Sequence, residues 1–103
     1  MGGVEWYNFS DNGPLRGIKG DFFEGGIRVP FAMQWPNKIE PGTIYDKPII
    51  ALDIFATVAS AAKAEKYIEN EIDGVNLIPY LSGNKSGSPH DYLYWKNPDK
   101  DID

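Results

Sequence analysis

With 103 residues, 42% of them hydrophobic and 14% aromatic, the chain has enough apolar surface for a folded domain, which excludes a disordered composition. Ten basic against fifteen acidic residues give a net charge of −5, which excludes a sequence-independent grip on nucleic acid phosphates, so any anion must be captured locally. The absence of cysteine excludes disulfides, thiolate metal sites and a cysteine nucleophile, and no apolar run reaches the length of a membrane span.

The N-terminus has neither the basic start nor the apolar stretch of a signal peptide, so an export address, if the protein is exported, is expected upstream of Met1. Residues 4–9 are rich in β-branched and aromatic side chains and end at the turn signal Asp11-Asn12-Gly13-Pro14, which predicts a short first strand. The spaced glycines Gly17, Gly20, Gly25 and Gly26 then predict an irregular loop whose backbone can take positive φ or approach a ligand closely. Residues 27–35 read as a second, mostly buried strand, with Pro30 near its start arguing for a sheet edge or a bulge. Residues 36–42 form a turn region.

Residues 49–52 lead into a helix for which Asp53 is a good N-cap, its carboxylate accepting from free backbone N–H groups. Phe55, Val58, Ala59 and Ala62 follow the i, i+3, i+4, i+7 pattern of one buried face. After a charged connection over residues 63–71, the run 73–81 predicts a turn leading into one or two helical turns, with Leu77, Ile78 and Leu81 inward. Residues 83–89 are a polar loop, 92–95 read as a third strand, and 99–103 form an acidic tail. Three short strands and one good helix do not obviously cover one another, so the chain reads as part of a domain.

Chemistry concentrates between Ser10 and Pro30. Asp11 offers a carboxylate and Asn12 a carbonyl oxygen, both hard ligands suited to Ca²⁺ or Mg²⁺, at a turn after a strand. Two neighbours cannot enclose a cation that takes roughly six to eight oxygens, and the same tetrapeptide is also an ordinary turn sequence. Lys19, between Gly17 and Gly20, is either a point charge for an anion bridged to that cation or a surface lysine. Arg16 has the same two readings with less support. Arg28 opens an apolar run, where a buried guanidinium needs a carboxylate partner such as Glu24 or Asp21, and an ion pair is the better reading than substrate contact. The lone His90 reads as a surface or capping residue, Ser10 as a turn-stabilising hydroxyl, and Tyr92, Tyr94 and Trp95 as core.

The run Ser-Asp-Asn-Gly, then Leu-Arg-Gly-x-Lys-Gly, then Phe-Glu-Gly-Gly-Ile-Arg-Val-Pro, closely resembles the late active-site segment of the type I sulfatases, arylsulfatase-like sulfuric ester hydrolases. Further matches follow in order: Trp35-Pro36-Asn37-Lys38-Ile39 with Pro41-Gly42, Leu52-Asp53-Ile54-Phe55-Ala56-Thr57, Asp73-Gly74-Val75-Asn76-Leu77, and Leu93-Tyr94-Trp95. The resemblance runs from about Phe9 to Trp95.

It implies an α/β fold of the alkaline-phosphatase-like type, a mixed sheet flanked by helices, of which this chain is the C-terminal part of the catalytic domain running into the small C-terminal subdomain. The implied divisions are residues 1–8 as an N-terminal segment of uncertain origin, 9–83 as catalytic-domain sequence, and 84–103 as the start of the subdomain with its acidic tail. The residues matching Asp11 and Asn12 ligate a divalent cation in that family, usually Ca²⁺, with Mg²⁺ an alternative, and the lysine matching Lys19 contacts the sulfate. Arg16 is a further candidate for substrate binding, while Glu24, Arg28 and Asp53 are assigned structural roles. The family's nucleophile is a formylglycine made from a Cys or Ser in a Cys/Ser-x-Pro-x-Arg motif. That motif is not found here, since Ser88-Pro89-His90 does not fit it.

The resemblance thus implies a piece of an enzyme that hydrolyses sulfate esters of a small molecule or glycan, with the isolated piece inactive. Members of the family are often exported. Two rival readings stand beside it: a non-catalytic binding module or decayed gene product on the same scaffold, and a related metal-dependent hydrolase of phosphate or phosphonate esters. The chain departs from the family at Ala56, where Pro is common, and at Lys63, where a Gly often ends the helix.

Overall fold

The computed structural model describes residues 11–96. The predicted first strand at 4–9, Ser10 and the acidic tail at 99–103 lie outside these residues. The chain divides into two compact units, one running to Ala32 and the other starting at Met33.

In the first unit the backbone reverses twice before a single helical turn, α1, at Glu24–Ile27. Leu15 N–H donates to the Asn12 carbonyl at 3.2 Å, and Asp21 N–H donates to the Ile18 carbonyl at 2.9 Å. Two glycines in four residues give α1 little intrinsic helicity, so tertiary contact must hold it. Gly25 N–H donates to the Arg16 carbonyl at 2.7 Å. A Cβ on Gly25 would collide with the carbonyls of Arg16 and Gly17, and one on Gly26 with those of Ile18 and Asp21. The glycine pair is therefore where two stretches of backbone touch.

The second unit is built on α2, Leu52–Ala61, followed by a 3₁₀ turn at Glu65–Tyr67 and the short helix α3 at Ile78–Leu81. Helix α2 ends in a Schellman motif. Ala64 N–H reaches the Ala59 carbonyl at 2.8 Å and Lys63 N–H the Ser60 carbonyl at 2.9 Å. That geometry demands a left-handed residue, and Lys63 supplies it with φ 54°, where the family resemblance expects Gly. Upstream, Pro41 and Gly42 form the predicted turn, with Gly42 at φ 79° and Thr43 N–H on the Glu40 carbonyl at 3.3 Å.

Several expectations are corrected. The segments 27–35 and 92–95 are not strands: Ile27 belongs to α1, the residues after it are irregular, and there is no strand among the described residues. A strand exists only through hydrogen bonds to a neighbour, and neither segment finds one there. The mixed sheet of the implied α/β fold is accordingly not seen among these residues. Tyr92, Tyr94 and Trp95 are exposed, not core.

The inward face of α2 is also rotated from the expected one. Phe55 and Val58 are 59% and 60% exposed and Ala62 is exposed, while Asp53, Ala56, Thr57 and Ala59 are buried. What packs on α2 is the loop at 73–77, whose backbone polar groups need partners, and the polar edge of the helix supplies them. Leu77, 1% exposed, is the most deeply buried apolar side chain among the described residues. No helix among the described residues is long and apolar enough to cross a membrane.

Candidate functional site

The candidate site lies in the first unit. Asp11 Oδ1 accepts the Gly13 N–H at 2.8 Å, an Asx turn that orients the carboxylate by its own backbone. Asn12 Nδ2 donates to the Gly17 carbonyl at 2.8 Å, across a five-residue span. Fixing the amide nitrogen there leaves Asn12 Oδ1 as the oxygen to offer a cation. The donors are thus right in kind for Ca²⁺ or Mg²⁺ and too few in number, because such ions take about six or more oxygens. Among the described residues no group of three or more His, Cys, Asp or Glu could hold a metal.

Lys19 is exposed and occupies the second position of the turn Ile18–Asp21, with Gly20 after it at φ 100°. Arg16 points elsewhere: its guanidinium stacks over the Phe23 ring, 4.0 Å from the centroid, which ties it to the start of α1. Arg28 pairs with Glu24 at 3.2 Å, one of the two partners its position suggested, but both side chains are about two-thirds exposed, so the expected buried guanidinium is not found. At that exposure the pair contributes at most about 0.5 kcal/mol.

Asp53 behaves differently from a helix cap. Ala51 occupies the N-cap position, and the Asp53 carboxylate, fully buried, serves three partners outside the helix. Oδ2 accepts the Ile50 N–H at 2.9 Å, Oδ1 accepts the Val75 N–H at 2.8 Å, and His90 Nε2 lies 2.8 and 2.9 Å from the two oxygens. Facing a carboxylate, His90 Nε2 must carry its proton, which fixes the tautomer when the ring is neutral. Further along the same edge, Thr57 Oγ1 accepts the Leu77 N–H at 3.0 Å and Asn76 Nδ2 donates to Ser60 Oγ at 2.8 Å.

His90 is the residue that sequence reading misses: it is not a surface residue, its side chain being 11% exposed. Its partner lies 37 positions away, and no local pattern joins them.

Comparison with known proteins agrees with the residue motifs. Residues 19–101 match the family described as N-sulphoglucosamine sulphohydrolase, C-terminal. Asp11, Asn12 and Arg16 precede that match. Among curated proteins, the chain is 42% identical over 83 residues to steryl-sulfatase of Mus musculus, covering 81% of this chain and 13% of that protein. It is 39% identical over 84 residues to an uncharacterized sulfatase of Escherichia coli, covering 82% of this chain and 15% of the relative. With arylsulfatase A of Bos taurus it shares 37% identity over 91 residues, covering 86% of this chain and 17% of the relative. The chain therefore spans only about one-seventh of the length of the curated relatives it matches. With most of its residues inside the family match and sulfatases as its relatives, the chain belongs to the sulfatase family, in the part described as the sulphohydrolase C-terminal region.

Proposed function

We propose that this chain supplies the cation-ligating and sulfate-contacting segment of a sulfuric ester hydrolase whose remaining machinery lies in other sequence. The observation that carries the reading is the match over residues 19–101, which begins at Lys19, with sulfatases as the relatives. Asp11 and Asn12 give two oxygen ligands to Ca²⁺ or Mg²⁺, a cation that polarises the sulfate oxygens when bound. Lys19 offsets the charge that builds on the sulfuryl oxygens as the ester bond breaks.

The nucleophile, a formylglycine, is supplied from outside these residues, as are further cation ligands. The exposed apolar side of α2, with Phe55 and Val58, supports a chain that works against additional sulfatase structure. The substrate is a sulfate ester of a small molecule or glycan.

The test is an assay of the purified 103-residue chain with Ca²⁺ and 4-nitrophenyl sulfate. No turnover is expected, because the covalent route needs the missing nucleophile. Turnover that disappears in Asp11→Ala would overturn this division of labour.

A further inference from the structure

The turn that presents Lys19 is closed by Asp21, which engages both backbone polar groups of Ile18. Asp21 N–H donates to the Ile18 carbonyl at 2.9 Å, and Asp21 Oδ2 accepts the Ile18 N–H at 3.0 Å. Both polar groups of the residue before Lys19 are thereby engaged by the residue two after it. Gly20 at φ 100° gives the turn the left-handed third residue that a type II turn requires. Gly26 lies against the Ile18 and Asp21 carbonyls so closely that a Cβ would overlap both, which seats the turn on α1. Gly17, at φ 94°, leaves no room for a Cβ beside Asp21 Oδ2 and Phe23.

A lysine ends in a flexible four-carbon stem, so the backbone can fix only the direction in which the stem starts. A carboxylate is an unexpected neighbour for a lysine that meets an anion, unless the carboxylate serves the backbone. Here it does, through the Ile18 N–H.

We infer that Asp21 is a positioning residue for Lys19: its carboxylate locks the Ile18–Asp21 turn and so sets the direction of the Lys19 side chain toward the anion. The inference rests on the reading of Lys19 as the sulfate contact. Its own content is the acceptor role of Asp21.

The experiment uses the full chain labelled with ¹⁵N, reading amide hydrogen exchange at Ile18 and the backbone coupling constant of Lys19 by NMR. Asp21→Ala removes the acceptor and is expected to speed Ile18 exchange by about tenfold and to average the Lys19 coupling. Asp21→Asn keeps a carbonyl acceptor and is expected to hold both readouts near wild type. The inference is overturned if Asp21→Ala leaves Ile18 and Lys19 unchanged, or if Asp21→Asn is as damaging as Asp21→Ala, which would make charge the operative property.

Titrating inorganic sulfate into the same samples separates the two claims. A Lys19 Nζ response that Asp21→Ala loses and Asp21→Asn keeps supports positioning toward an anion. No Lys19 response in the wild type counts against the sulfate contact, while the exchange data still decide the turn.

Discussion

His90 and Asp53, 37 positions apart, meet with Nε2 at 2.8 and 2.9 Å from the two carboxylate oxygens, inside a site where Asp53 is fully buried. A buried carboxylate is tolerated only where donors surround it, and this one has the imidazole and two backbone N–H groups. Removing it strands all three. Asp53→Ala is expected to cost about 3 kcal/mol, and His90→Ala about 1–2 kcal/mol because Asp53 keeps its two backbone donors. Urea denaturation of the two variants against wild type measures the ordering, and equal stability of Asp53→Ala and wild type would contradict it.

Gly74 comes up against the first turn of α2, where a Cβ would strike the Leu52 carbonyl and the Asp53 backbone. No flexible side chain can yield there. Gly74→Ala is expected to destabilise by more than about 2 kcal/mol and to loosen the Val75 N–H contact to Asp53. Gly83→Ala is the control, since it meets open space and costs only the left-handed strain of its φ of 79°, about 1 kcal/mol. Thermal unfolding of the pair should show the difference.

Lys63 closes the Schellman motif with a Cβ in the left-handed region, at φ 54°. Gly relieves about 1–2 kcal/mol of that strain and returns about 0.4–1 kcal/mol through a freer unfolded chain. Lys63→Gly is therefore expected to stabilise by up to about 1.6 kcal/mol, and a loss of stability in chemical denaturation would contradict the C-terminal geometry of α2.

How much of this was legible in the sequence follows from how local each feature is. The Pro41-Gly42 turn, the end of α2 at Lys63 and the turn into α3 depend on residues within a few positions, and the chain spells them out. The inner face of α2 does not: its period marks Phe55 and Val58 as fit for burial, but burial depends on what packs there. Asp53 reads locally as a cap, yet Val75 and His90, 22 and 37 positions on, draw its carboxylate away from the helix. The strands expected at 27–35 and 92–95 need partners that β-propensity does not name. In the candidate site, the residue types at Asp11, Asn12 and Lys19 were readable, while the tie of Asn12 to Gly17 and of Arg16 to Phe23 depends on how the loop folds back on itself.

Glu65 titrates below the usual carboxylate range, chiefly because its own backbone N–H stabilises the charged form, with the Ser60 hydroxyl adding to this against a smaller effect of burial. A folded-state value below the unfolded one means the contribution to stability is present above the unfolded carboxyl range. It is lost as the pH falls through the folded value. NMR titration of the Glu65 carboxyl carbon should show the lowered midpoint, and Ser60→Ala should move it back up. A midpoint unmoved by Ser60→Ala would remove the hydroxyl from the explanation.

The central claim is that Asp11, Asn12 and Lys19 work on a cation and a sulfate in a complete sulfatase, and a chimera tests it most directly. This chain is exchanged for the matching segment of mouse steryl-sulfatase, and turnover of a sulfate ester is measured at saturating Ca²⁺. The chimera is expected to retain activity, with Lys19→Ala lowering kcat by about 10²–10³-fold. Asp11→Ala is expected to raise the Ca²⁺ concentration needed for half-maximal activity. An active chimera indifferent to both substitutions would contradict the account.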